Sequence, residues 1–324
     1  MEGPGQQLKN QARAAANRPQ GEIRIDNHLI EQLCDLDRLR IADMDNAGID
    51  VQVLSLTSPG VEALNDKEAI ALAQATNDQL AEALQRHQER LYGFATLPAS
   101  APEKAAQELE RTVKDFGFVG AVINGHIRGR YLDDPFFWPI LETAEALQVP
   151  IYLHPTPPPQ PVILASYVGN FAPEVTAGLA ASAWGWHIET AVHILRIILS
   201  GAFDRYPGLQ FIIGHMGETL PFMLPRLEHT LPTQVTKLER PIGDYLRQNL
   251  NYTFSGFNYI PNFLNLLLQV GVERILFSAD YPYSSMEAAR TFLEQLPVSP
   301  ADKERIAHSN AEGLLRLGLR EKNN

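Results

Sequence analysis

A chain of 324 residues, 45% hydrophobic and 20% charged, is long enough to bury a sizeable core and to fill one α/β barrel or about two smaller domains. With 27 Lys and Arg against 38 Asp and Glu, the formal net charge is −11; this argues against a sequence-independent nucleic-acid binder, which needs a basic face to displace counterions, and against an anionic membrane surface as partner. No run approaches the ~18 apolar residues of a membrane span, no secretory pattern follows Met1, and a single cysteine, Cys34, excludes an internal disulfide and a cysteine metal cluster; the expectation is a soluble protein of a reducing compartment, the cytoplasm.

Hydrophobic period and turn residues predict the elements in chain order. Residues 1–21 are polar, and 22–324 read as one barrel domain. A weak alternating strand at 22–26 precedes one amphipathic helix over 29–46, which Gly48 stops. Strands then fall at 51–56, 91–96, 118–124, 149–154, 209–214, 250–254 and 274–278. Helices separate them at 66–90, 102–116, 135–147, 188–200, 218–230 and 260–270, and two more close the chain at 285–296 and 300–317. An irregular insertion, about 156–187, carries Pro157, Pro158 and Pro159. Short apolar strands alternating with helices mean a parallel sheet. Seven strands plus the weak first one make eight, the number that closes a (β/α)8 TIM barrel. The rival, an open doubly wound sheet, would usually show a Gly-rich phosphate loop after an early strand, and none is present.

In such a barrel the chemistry sits where strands end. Asn124 ends one strand and His126 follows; His154 ends the next; His215 follows 209–214, with Glu218 three residues on; Ser255 and Asp280 follow the last two strands. Any one of these could cap a loop or satisfy buried carbonyls. Two histidines, an aspartate and a glutamate at one mouth favour chemistry. Imidazole and carboxylate without thiol suit Zn(II), Mn(II) or Fe(II). Glu218 is expected in the first helical turn, where it could fix the tautomer of His215 or simply complement the helix N-terminus. Trp184, Trp186 and His187 could line a pocket or form a packed lid. Glu189 reads as an N-terminal helix carboxylate, and His87, His193, His229 and His308 as structural or solvated.

These landmarks include Met44-Asp45-Asn46-Ala47-Gly48, Tyr152-Leu153-His154-Pro155, Glu189-Thr190-Ala191, Gly214-His215-Met216-Gly217-Glu218 and Ser278-Ala279-Asp280-Tyr281-Pro282. As a set, in this order and spacing, they resemble the amidohydrolase-superfamily decarboxylases related to γ-resorcylate and aminocarboxymuconate-semialdehyde decarboxylases. The resemblance runs from about residue 35 to the C-terminus. It implies a metal-dependent-hydrolase type barrel in which His154 and Asp280 bind a divalent metal, zinc or manganese, and Asp280 also handles a proton. It further implies that His215 is the active-site histidine with Glu218 its partner, that Arg226 organises the site, and that Asn124 and Ser255 contact substrate.

One departure stands out. The family's first strand ends in Glu-x-His or His-x-His, and no such motif begins this chain. Either Asp26 and His28 supply a variant Asp-x-His, or 28–45 aligns with the helix before Met44-Asp45 and the strand is missing; the spacing favours the second. The expected function is non-oxidative decarboxylation of a small hydroxylated aromatic acid by a homodimer or homotetramer. The alternatives are hydrolysis of an ester, lactone, thioester or amide, and a non-catalytic barrel that lost its metal motif.

Overall fold

Strands too short to stand alone gain stability here by lying side by side in one parallel sheet. The computed structural model describes residues 27–317. Its strands are β1 (Gln52–Leu54), β2 (Leu91–Thr96), β3 (Gly120–Asn124), β4 (Ile151–His154), β5 (Phe211–Ile213), β6 (Leu250–Thr253) and β7 (Ile275–Leu276). They pair in strict sequence order, every pair parallel. A doubly wound sheet reverses its order partway, so that rival is excluded.

The main helices are α1 (Asn27–Cys34), α2 (Arg38–Ala47), α3 (Asp66–Arg86), α4 (Pro102–Phe116), α5 (Trp138–Leu147), α6 (Gln160–Ser166), α7 (Pro173–Ala180), α8 (Gly185–Leu199), α9 (Leu220–Thr230), α10 (Ile260–Val270) and α11 (Met286–Gln295). Two-residue alternation along the strands sorts side chains to two cores. Phe94, Val122, Ile212 and Leu276 form a small inner cluster with Leu315. The other set, including Ala121, Ile123, Leu153, Phe211 and Ile213, joins the larger core against the helices.

Three expectations are corrected. The single helix over 29–46 is two, because Asp35 breaks it: its carboxylate accepts from the backbone N–H groups of Asp37 and Arg40. Gly48 ends the second in the left-handed region, at φ 67°. The insertion is not irregular but carries α6 and α7, each begun with a proline in its first turn. The helix after β5 starts at Leu220, not at Glu218.

Among the described residues the barrel is not closed. β1 pairs only with β2 and β7 only with β6, and both edges line a cavity of about 1750 Å³. The strand expected at 22–26, like Asp26, lies outside the described residues. His28 falls in the first turn of α1 and is exposed, so it stands on a helix and not at a strand end.

Candidate active site

Parallel pairing brings the C-terminal ends of the strands to one mouth. Asn124 and His154 are register partners at the ends of β3 and β4. His154 and Asp280 line the same cavity, together with Tyr152, Thr253, Ser255, Ser278 and Tyr283. The cavity exceeds the ~300–1,000 Å³ usual for small-ligand sites because it continues into the space between β1 and β7.

His154 is prepared as a ligand. Its Nδ1–H donates to the Pro155 carbonyl at 2.8 Å, leaving the lone pair on Nε2. Burial, reinforced by His215, lowers its pKa to about 4, so the ring is neutral at physiological pH. Asp280 sits after β7 with a left-handed backbone, φ 68°. Burial raises its carboxyl to about 6; the His215 charge opposes the rise and the Glu218 charge adds to it.

The turn after β5 is built from an unusual backbone. His215, Met216, Glu218 and Thr219 all have positive φ, as does Gly217. Such runs cost free energy and persist where the surroundings impose them. Gly214 is required at its start, because a Cβ there would lie 2.8 Å from the Tyr152 hydroxyl and 3.0 Å from Ser255 Oγ. The turn places Glu218 before the helix, so capping is not its role. Its carboxylate is 1% exposed and accepts two hydrogen bonds of 2.6 Å, from His215 Nδ1 on Oε1 and from His187 Nδ1 on Oε2. Burial works against the charge on Glu218, yet His215 and the His187 bond prevail and hold its pKa below the usual carboxylate value. For His215, burial is likewise outweighed by the charge and hydrogen bond of Glu218, with Asp280 adding, and its pKa is raised.

Ser255 lines the cavity within a hydroxyl cluster: its Oγ is 2.7 Å from Thr253 Oγ1, 3.1 Å from the Tyr152 hydroxyl and 3.3 Å from Ser278 Oγ. Burial pushes the Tyr152 phenol up to about 12. Asn124, expected to contact substrate, and Arg226, expected to organise the site, are not among the residues lining the cavity, nor are His215 and Glu218. Asn124 is 2% exposed and donates its backbone N–H to Glu62 Oε1 at 2.6 Å. Arg226 is exposed on α9. His126 accepts from the Gly129 backbone N–H, and Glu189 accepts from the Tyr131 hydroxyl.

Reasoning from the sequence missed His187 as a partner of Glu218, because 31 residues and a turn of irregular backbone separate them. It also missed Tyr152, a strand residue, and Ser278, two residues beyond β7, both of which line the cavity.

His154 Nε2 and the Asp280 carboxylate fit a divalent cation as borderline and hard donors. Two donors leave most of a four- to six-fold shell to be filled by other groups. His187, His215 and Glu218 also place three ligand-capable atoms within 4.8 Å of one another. Their N···O separations of 2.6 Å are those of charge-assisted hydrogen bonds.

Fold and mouth define a parallel α/β barrel of the metal-dependent hydrolase type. The chain belongs to the amidohydrolase family, whose model matches residues 25–317. It is 40% identical over 302 residues to the gamma-resorcylate decarboxylase of a Polaromonas species, covering 89% of this chain and 90% of that one. Among solved structures it is similar to the dihydroxybenzoic acid decarboxylase of Polaromonas with bound manganese and 2-nitroresorcinol (TM-score 0.86, 37% identity, 94% of this chain and 92% of that one). It is also similar to the 5-carboxyvanillate decarboxylase of Novosphingobium aromaticivorans with manganese and a nitrobenzoic acid (TM-score 0.86, 34% identity, 97% and 92%).

Proposed function

We propose that this chain is a metal-assisted, non-oxidative decarboxylase of a small hydroxylated aromatic carboxylic acid. The observation that carries the reading is the shared cavity: a neutral imidazole at 154 and a carboxyl at 280 on its wall, electrostatically coupled to the His215–Glu218 pair. Dihydroxybenzoate-type substrates and manganese are suggested by the decarboxylase relatives, and zinc by the same imidazole and carboxylate donors.

His154 Nε2 and Asp280 would hold the divalent ion, which supplies positive charge to orient the substrate's carboxylate and neighbouring phenolic oxygen. His215, favoured in its charged form by Glu218, pairs with the anionic substrate. Burial raises the Asp280 carboxyl and so favours the protonated form that can act as the acid. Its proton adds to the ring carbon bearing the carboxylate. The carbon–carbon bond then breaks, its electron pair returns to the ring, and CO2 leaves. Asp280 is left ionised and regains a proton from solvent. Tyr152 and Ser255 shape the pocket wall.

Among the described residues no helix is long and apolar enough to cross a membrane. Assembly into a homodimer or homotetramer is part of the same proposal. Incubation with 2,6-dihydroxybenzoate and related acids, with Mn(II) or Zn(II) added, tests the function. Release of CO2 and the matching phenol is expected. Turnover of esters, lactones or amides without CO2 would replace this reading with a hydrolase, and no turnover of either class would leave a non-catalytic barrel.

A further inference from the structure

We propose that His187 is a positioning residue for His215, acting through Glu218. The proposal rests on the assignment of His215 to the reaction above, and it concerns a side chain from a different element, the first turn of α8. A carboxylate this deeply buried needs donors on both oxygens, because an unpaired charged oxygen in a dry site is costly. His215 serves only Oε1. His187 serves Oε2 at the same 2.6 Å, so the carboxylate plane is held from both sides.

The direction of each bond follows from the chemistry of the partners. The Trp186 indole can only donate, and its Nε1–H lies 3.0 Å from His187 Nε2. That contact requires Nε2 to accept, which puts the His187 proton on Nδ1, facing Glu218. Were Nε2 protonated as well, it would donate to the Ser182 carbonyl, also 3.0 Å away. In both states Nδ1 donates to Glu218. The other carboxylate oxygen then takes the Nδ1–H of His215, and this leaves His215 Nε2 as the nitrogen free for chemistry. Packing locks the set. The two imidazole rings meet edge to face at 4.7 Å, and each packs on Phe257, at 5.2 and 5.3 Å. His187 and His215 are only 6% and 8% exposed, so water does not compete for Glu218. The end of the insertion, Ser182 to Trp186, is thereby joined to the tautomer of an active-site histidine.

The test compares His187→Phe, which keeps a ring but no donor, with His187→Asn, which returns a short N–H donor near the Nδ1 position. Histidine-labelled wild-type protein should give two downfield Nδ1–H proton resonances, from His187 and His215. The Phe variant should lose one and shift the other. With a dihydroxybenzoate and Mn(II), kcat should fall about 10–100-fold, the usual cost of removing an orienting partner. KM should change by less than about threefold, and Asn should recover most of the loss. If the Phe variant does not fold, His187→Ala takes its place against Asn. An unshifted His215 resonance overturns the proposal, as does a kcat within about twofold of wild type in the variant lacking the donor. The resonances need no turnover, so an inactive wild-type protein would refute the decarboxylase reading while His187 was still judged by the spectrum.

Discussion

The two sides of the mouth are built differently. On one side, His187, Glu218 and His215 form a closed set in which each oxygen of the carboxylate has a donor and the rings are packed against Phe257. On the other, His154 and Asp280 face a large cavity beside the edges of β1 and β7, which pair with no further strand among the described residues. The satisfied side is set to hold one geometry. The open side has prepared donors, a neutral imidazole and a carboxyl near 6, directed at something to be bound. Pre-formed orientation and unsatisfied binding capacity are separate tasks, and this chain assigns them to different residues after its strands.

The comparison breaks most visibly at Asp280. Asp280→Asn removes both an acid and a ligand, and CO2 release should fall by about 10²–10⁴-fold; an active Asn variant would move the acid elsewhere. His154→Ala should weaken metal retention by more than the ~10–100-fold cost of losing an orienting partner. Elemental analysis after dialysis reads this, and unchanged metal content would shift the metal to other donors.

On the closed side, Glu218→Gln should lower kcat about 10–100-fold. Its pH dependence has a definite sign. Glu218 raises the pKa of His215 against the effect of burial, so a step needing the imidazolium loses rate as pH rises through that raised value. Removing the charge lowers the value, and the alkaline limb of the profile should move to lower pH. A limb that stays in place would separate His215 from the rate.

The smallest effect lies outside the mouth, at Glu62. Burial raises its carboxyl from 4.5 to about 7, against the backbone hydrogen bonds it accepts. The folded state therefore takes up the proton first. From this group, stability increases as pH falls from about 7 toward 4.5, and is lost as pH rises through 7. The wild-type melting temperature should rise across that window by about 3 °C more than that of Glu62→Gln. Parallel melting curves would place the titration elsewhere.

Much of this architecture was legible in the residues. The helices Pro102–Phe116 and Ile260–Val270 and the strand Leu91–Thr96 have the expected bounds, because a proline in the first turn, a glycine stop or an unbroken apolar run marks each. That His154 and Asp280 share a cavity and that Glu218 partners His215 was legible because each lies at or just after a strand end. Local carboxylate bonding hid the break at Asp35, since composition alone continues the helical pattern. The position of Glu218 was misjudged for a related reason. Helix periodicity cannot report five consecutive left-handed residues, so the glutamate was expected inside the helix it precedes. Asn124 shows the limit of counting strand ends: its side chain turns to Glu62 rather than to the cavity.

The most direct measurement is decarboxylation of carboxyl-¹³C-labelled 2,6-dihydroxybenzoate in D2O with Mn(II), followed by mass spectrometry of gas and product. The account predicts one ¹³CO2 per turnover, one deuterium on the ring carbon that carried the carboxylate, and loss of both in Asp280→Asn. Intact substrate, or ¹³CO2 release that survives unchanged in Asp280→Asn, would contradict it.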